Sequence, residues 1–127
     1  EACAALGNGW HLPTNDEWRE LAILHGGYYS CETFEDTGDP MKARAALVEG
    51  GSSGFNAQLG GQSFYQKSVR QFYDRGRKGQ YWTASEYEGD RAFHEGQIWY
   101  FNFDSDGSLD NCESGDADDA FCVRCVQ

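Results

Sequence analysis

Two styles of hydrophobic patterning divide the chain. After Thr14, the residues Trp18, Leu21, Ala22 and His25 recur at helical spacing and the run stops at Gly26-Gly27, which predicts an amphipathic helix. Thr14 and Glu17 stand three apart in front of that stripe, the signature of a capping box in which each side chain satisfies an orphan amide. A second, shorter helix is predicted from Pro40 to about Val48. Asp39 is its cap, Pro40 sits in its first turn, Gly50-Gly51 lies beyond its end, and Met41, Ala45 and Val48 form its apolar stripe. The opening Glu1–Leu6 has helix-forming composition, meets a stop at Gly7 and has no start signal before it, as if the chain began in mid-helix within a longer exported protein.

Beyond Gly54 no helical period is sustained. Aromatic segments punctuated by glycine follow one another: Phe55, Phe64-Tyr65, Phe72-Tyr73, Tyr81-Trp82, Trp99 to Phe103 and Ala120 to Val126. They read as short strands and loops. The clearest hairpin runs from Gln97 to Phe103, turns through Asp104-Ser-Asp-Gly107 and returns at Ser108-Leu109, with Asp-Gly supplying the backbone angles of a tight turn. Trp99, Phe101 and Phe103 alternate toward a core and leave Tyr100 on the other face. Phe121 to Val126 is the expected last strand. Helices first and an antiparallel, loop-rich sheet afterwards make an α+β domain over residues 1–127.

The length of 127 residues suits one hydrophobic core, and 39% hydrophobic with 15% aromatic residues is enough to fill it. Charge narrows the partners. Ten basic against 21 acidic residues give −11, which repels nucleic acid and gives no general attraction to anionic lipid. Residues 86 to 119 hold eleven acids and the single base Arg91, whereas Lys67, Arg70, Arg75, Arg77 and Lys78 cluster with only Asp74 among them. Solvated loop faces account for both runs, and the acidic one doubles as a candidate surface for a basic partner. No apolar run reaches the length of a membrane span.

Five cysteines, with Cys112, Cys122 and Cys125 inside fourteen residues, point to disulfides and an exported protein. Cys122-Val-Arg-Cys125 has C-x-x-C spacing but no second such pair accompanies it, so zinc or redox chemistry is the minor reading. By proximity Cys112 would bond Cys122. The three histidines, His11, His25 and His94, form no triad order and no metal-spaced pair, and no catalysis is expected.

Several motifs in order resemble a known family: Gly9-Trp-His-Leu-Pro-Thr14 with Asp16-Glu-Trp18, Gly54-Phe-Asn-Ala-Gln-Leu-Gly-Gly61, Tyr81-Trp-Thr-Ala-Ser-Glu86, Ala92-Phe93 and Val123-Arg-Cys-Val126. Together they are similar to the Fibrobacter succinogenes major paralogous domain and the related Legionella collagen-like C-terminal domains. The resemblance implies a C-type-lectin-like fold in an exported or surface-attached bacterial protein that presents a variable loop surface, with no catalytic residues. It also implies a bond between Cys3 in the first helix and Cys125 in the last strand; with Cys112–Cys122 paired by proximity, Cys31 is left single. Some members of this group are variable proteins of diversity-generating retroelements, with hypervariable positions in a C-terminal third that here runs from Tyr81 to Val126.

The expected ligand contacts lie between 85 and 119: Tyr87, Glu88, Asp90, Arg91, His94, Tyr100, Asp104, Asp106 and Asp110. The expected partner is a protein or a glycan on a cell or host surface; the alternative is a structural module of an adhesin or filament. Asp104-x-Asp106-Gly-x-x-Asp110 resembles part of a calcium loop, but Gly115 stands where position 12 of that loop needs a bidentate Glu. The Asp-Gly turn explains the same residues without metal, so no cofactor is expected and calcium at Asp104, Asp106 and Asp110 is the subordinate reading, kept by the neighbouring Asp116, Asp118 and Asp119. Sugar, if bound, would stack on Trp82, Trp99, Tyr87 or Tyr100.

Overall fold

Thr14 starts the first helix as its sequence dictates. The Thr14 hydroxyl accepts from the Glu17 amide at 3.1 Å and the Glu17 carboxylate accepts from the Thr14 amide at 3.3 Å, closing the capping box. The helix, α1, spans Asn15–His25 and buries Trp18 and Ala22. Thr14→Ala leaves the Glu17 amide without its hydroxyl partner and is expected to cost about 1 kcal/mol in urea unfolding.

The computed structural model describes residues 2–89, 96–114 and 119–127. After a 3-10 turn, Ala4–Leu6, and α1 come β1 (Gly27–Ser30), β2 (Glu35–Gly38), α2 (Pro40–Leu47), β3 (Gln62–Gln66), β4 (Val69–Tyr73), β5 (Gly79–Glu86), β6 (Ile98–Phe103) and β7 (Leu109–Ser114). The five-stranded sheet has the order β2-β1-β7-β6-β5, and β3 pairs with β4 in a separate two-stranded sheet. The domain is therefore α+β, but its main sheet is mixed and not purely antiparallel: β1 runs parallel to β7, pairing Tyr29 with Asp110 and Ser30 with Asn111. At the open end of the β1–β2 pair a Cβ on Gly27 or Gly38 would collide with backbone of the facing strand, so only glycine permits that approach.

Three expectations are corrected by the packing. The opening segment is a single 3-10 turn, not a helix. In α2, Asp39 caps the Lys42 amide as expected, yet the buried residues are Pro40, Ala43 and Leu47, while Met41 is exposed. The C-terminal segment forms isolated bridges, Ser63 with Ala120, Tyr81 with Cys122 and His11 with Val126, instead of a continuous strand.

The core lies between the helices and one face of the sheet. Trp18 packs on Phe101, Phe55, Tyr81 and Phe103, and Leu47, Ala43 and Leu109 complete the cluster. Phe101 and Phe103 are fully buried and Trp99 nearly so, as the alternation predicted. The buried Asn111 ties β7 to α1: its amide donates to Asn15 Oδ1 at 2.8 Å and its oxygen accepts from Arg19 Nε at 2.8 Å.

The β3–β4 hairpin turns through Lys67 and Ser68, both left-handed at φ 50° and 64°. Asn-Gly suits such a turn far better. The double substitution Lys67→Asn with Ser68→Gly is expected to raise the urea midpoint, by about 1 kcal/mol of stability or more.

Candidate functional site

The face of the main sheet that turns away from the core carries a polar row. Across the strands, Asp36, Tyr29, Asp110, Asn102 and Gln80 stand side by side in register. The next row along the same face is Cys112, Tyr100 and Trp82. Phe121 covers this second row, stacking on Trp82 with centroids 4.3 Å apart and meeting Tyr100 at 4.9 Å. The Trp82 amide donates to Cys122 O and the Cys122 amide to Gln80 O, which holds the C-terminal segment on the edge of β5.

Where the polar row meets the start of α2 and the β6–β7 turn, the surface dips into a cavity of about 340 Å³ lined by Tyr29, Asp36, Pro40, Met41, Asp106, Ser108 and Asp110. The turn places its acids through its own hydrogen bonds. The Asp104 amide donates to Ser108 O at 2.9 Å, and Asp106 Oδ1 accepts from the Ser108 amide at 2.8 Å. Asp110 accepts from the Ser108 hydroxyl at 2.6 Å and from Asn102 Nδ2 at 3.4 Å.

Electrostatics follow from this placement. Burial pushes Asp110 up to about 6, and the charges of Asp104 and Asp106 push the same way against the bonds from Ser108 and Asn102. Asp104 is also pushed up by burial, but the Ser105 amide and Lys78, whose Nζ is 3.4 Å away, outweigh that and leave it below its usual range. Burial, and then the carboxylates of Glu113, Asp110, Asp119 and Asp104, drives Tyr100 up to about 12. Asn102 Oδ1 and Gln80 Oε1 are buried without a hydrogen-bond partner. The site thus offers acceptors and negative charge, with Tyr29 and Met41 as an apolar wall.

The structure gathers some of the sequence candidates and separates others. Asp106 and Asp110 line the cavity, and Asp104 stands beside them in the turn. Tyr100 faces outward as expected but is half-buried beneath Phe121. Tyr87 is not on the surface: only 5% exposed, it sits edge-on against Trp99. Glu88 is exposed. Asp90, Arg91 and His94 lie outside the described residues. Among the described residues no three His, Cys, Asp or Glu side chains are grouped to hold a metal. Tyr29, Asp36, Pro40 and Met41 were not among the candidates, because nothing in the sequence aligned β1 and β2 with the β6–β7 turn.

The disulfides are Cys3–Cys125, with Cα atoms 5.4 Å apart, and Cys31–Cys112, at 4.9 Å. The expected Cys112–Cys122 bond is therefore replaced. The parallel register of Ser30 with Asn111 carries the next residues, Cys31 and Cys112, to bonding distance. Cys122 is the free thiol, and burial pushes its pKa up.

The family model of the Fibrobacter succinogenes major domain matches residues 4–127. The chain belongs to this family. The matched span takes in the Cys31–Cys112 disulfide, the polar row and the acidic cavity, so the candidate site is part of the Fibrobacter succinogenes major domain itself. No curated protein and no solved structure matches the chain.

Proposed function

We propose that this Fibrobacter succinogenes major domain is a non-enzymatic, extracellular recognition module of C-type-lectin-like architecture, and that its ligand is a cationic segment of a protein. The observation that carries the reading is the cavity in which Asp36, Asp106 and Asp110 surround an apolar wall of Tyr29 and Met41. A lysine or arginine side chain can lay its stem along such a wall and set its charge among the carboxylates. Two disulfides suit an oxidising compartment, and among the described residues no helix is long and apolar enough to cross a membrane. A glycan is the second ligand class, accepted by the same carboxylates. The outward positions between 85 and 119 are where retroelement-driven diversification would act.

A lysine-rich peptide in a calorimetric or interferometric titration tests the reading. Binding is expected to weaken with salt and to fall about tenfold or more in Asp36→Asn with Asp110→Asn. Its pH dependence has a definite sign. Asp110 is neutral below its folded value of about 6 and charged above it, so affinity for a cation should rise as pH climbs through that value, and Asp110→Asn should flatten the rise. Equal binding by parent and double variant would remove the cavity as the site.

A further inference from the structure

The β3–β4 hairpin forms a two-stranded sheet of its own, apart from the main sheet. It is joined to the body by the Ser63–Ala120 bridge and by Gly61 beside Gly79, and both of its faces display apolar groups. Tyr65, Arg70 and Phe72 share one face; Phe64, Val69 and Tyr73 share the other. Phe72 is 80% exposed, Val69 57% and Tyr65 52%. An isolated two-stranded sheet is marginal in water, and exposed aromatics on one mark a contact surface. Its chemistry is the opposite of the cavity's. Residues 62–78 hold five bases and one acid, a formal +4, which leaves −15 on the remainder of a chain whose total is −11. Inside one copy the same attraction is already used once, between Lys78 and Asp104.

We infer that the β3–β4 hairpin of one copy docks on the acidic cavity of a second copy, with Lys67 at the tip entering between Asp36, Asp106 and Asp110. This rests on the reading of that cavity as a cation-binding site and names one occupant for it. Five-residue strands reach about 17 Å, long enough to present the tip apart from the hairpin base. The exposed faces of Tyr65 and Phe72 supply apolar area at the rim of the contact, where charge alone would be screened. Arm and cavity are different patches of one chain, so the contact is heterologous and each added copy leaves one arm and one cavity open.

Sedimentation velocity of the oxidised domain tests this. At about 20 mM salt the weight-average sedimentation coefficient should climb with concentration, and at about 500 mM it should return to the monomer value. An arm variant, Lys67→Glu with Phe72→Ser, and a cavity variant, Asp36→Lys with Asp106→Lys, alter exposed or cavity-lining side chains and should each be monomeric alone. Mixed, they retain one intact arm and one intact cavity between them and should form a dimer that grows no further. A parent monomeric at every concentration in low salt overturns the inference, as does association that survives in either variant alone. If copies stay apart while the lysine-rich peptide still binds in a cavity-dependent way, the self-docking falls and the cation-binding reading stands.

Discussion

Replacing Cys3 or Cys125 with serine is expected to lower the unfolding free energy by about 4–5 kcal/mol in the chain-entropy picture, because the bond joins residues 122 positions apart. A domain of this size has about 5–15 kcal/mol in all, so the variant loses a large share of its stability. Denaturant titrations of parent and variant under non-reducing conditions measure it. Cys122→Ser is the internal control. As a free, half-buried thiol it should shift the midpoint by less than about 1 kcal/mol, whereas a large loss there would mean that Cys122 and not Cys31 bonds Cys112.

Trp18→Ala is expected to cost about 3–5 kcal/mol. The ring is 2% exposed and sits among Phe101, Phe55, Tyr81 and Phe103 at centroid distances from 5.4 to 6.4 Å, so its removal opens a cavity at the junction of α1 and the sheet. Its indole nitrogen has no acceptor. Trp18→Phe therefore breaks no hydrogen bond and should cost much less, about 1–2 kcal/mol of packing. Urea unfolding of the two variants separates the contributions: equal losses would show that the indole N–H and not the ring volume holds the site together.

What the sequence revealed divides along a physical line. Short-range signals were legible: the Thr14–Glu17 box, the Asp39-Pro40 start, the Asp-Gly turn and the inward alternation of Trp99, Phe101 and Phe103 all act within a few residues. Long-range pairing was not. The strand Glu35–Gly38 is exposed at every position, so no hydrophobic alternation betrays it, and without it the partnership of β1 with β7 cannot be inferred. The disulfide error has the same origin, since nearness along the chain favoured Cys122 for Cys112 while the parallel register brought Cys31. The apolar stripe of α2 failed because eight residues make barely two turns, too few to fix which side faces the sheet. In the candidate site, Asp106 lies in the β6–β7 turn and Asp110 follows it at the start of β7, so both were visible locally; Tyr29, Asp36 and Met41 reach the cavity only through tertiary structure.

The Cys3–Cys125 bond also decides how the domain answers tension. A pull applied to residues outside that pair is carried across a covalent bridge between Cα atoms 5.4 Å apart, and the hydrogen bonds of the sheet bear almost none of it. Lengthening the module by stretching then requires a reductant, so the domain is a short, inextensible link whose fold between the two cysteines stays intact under load.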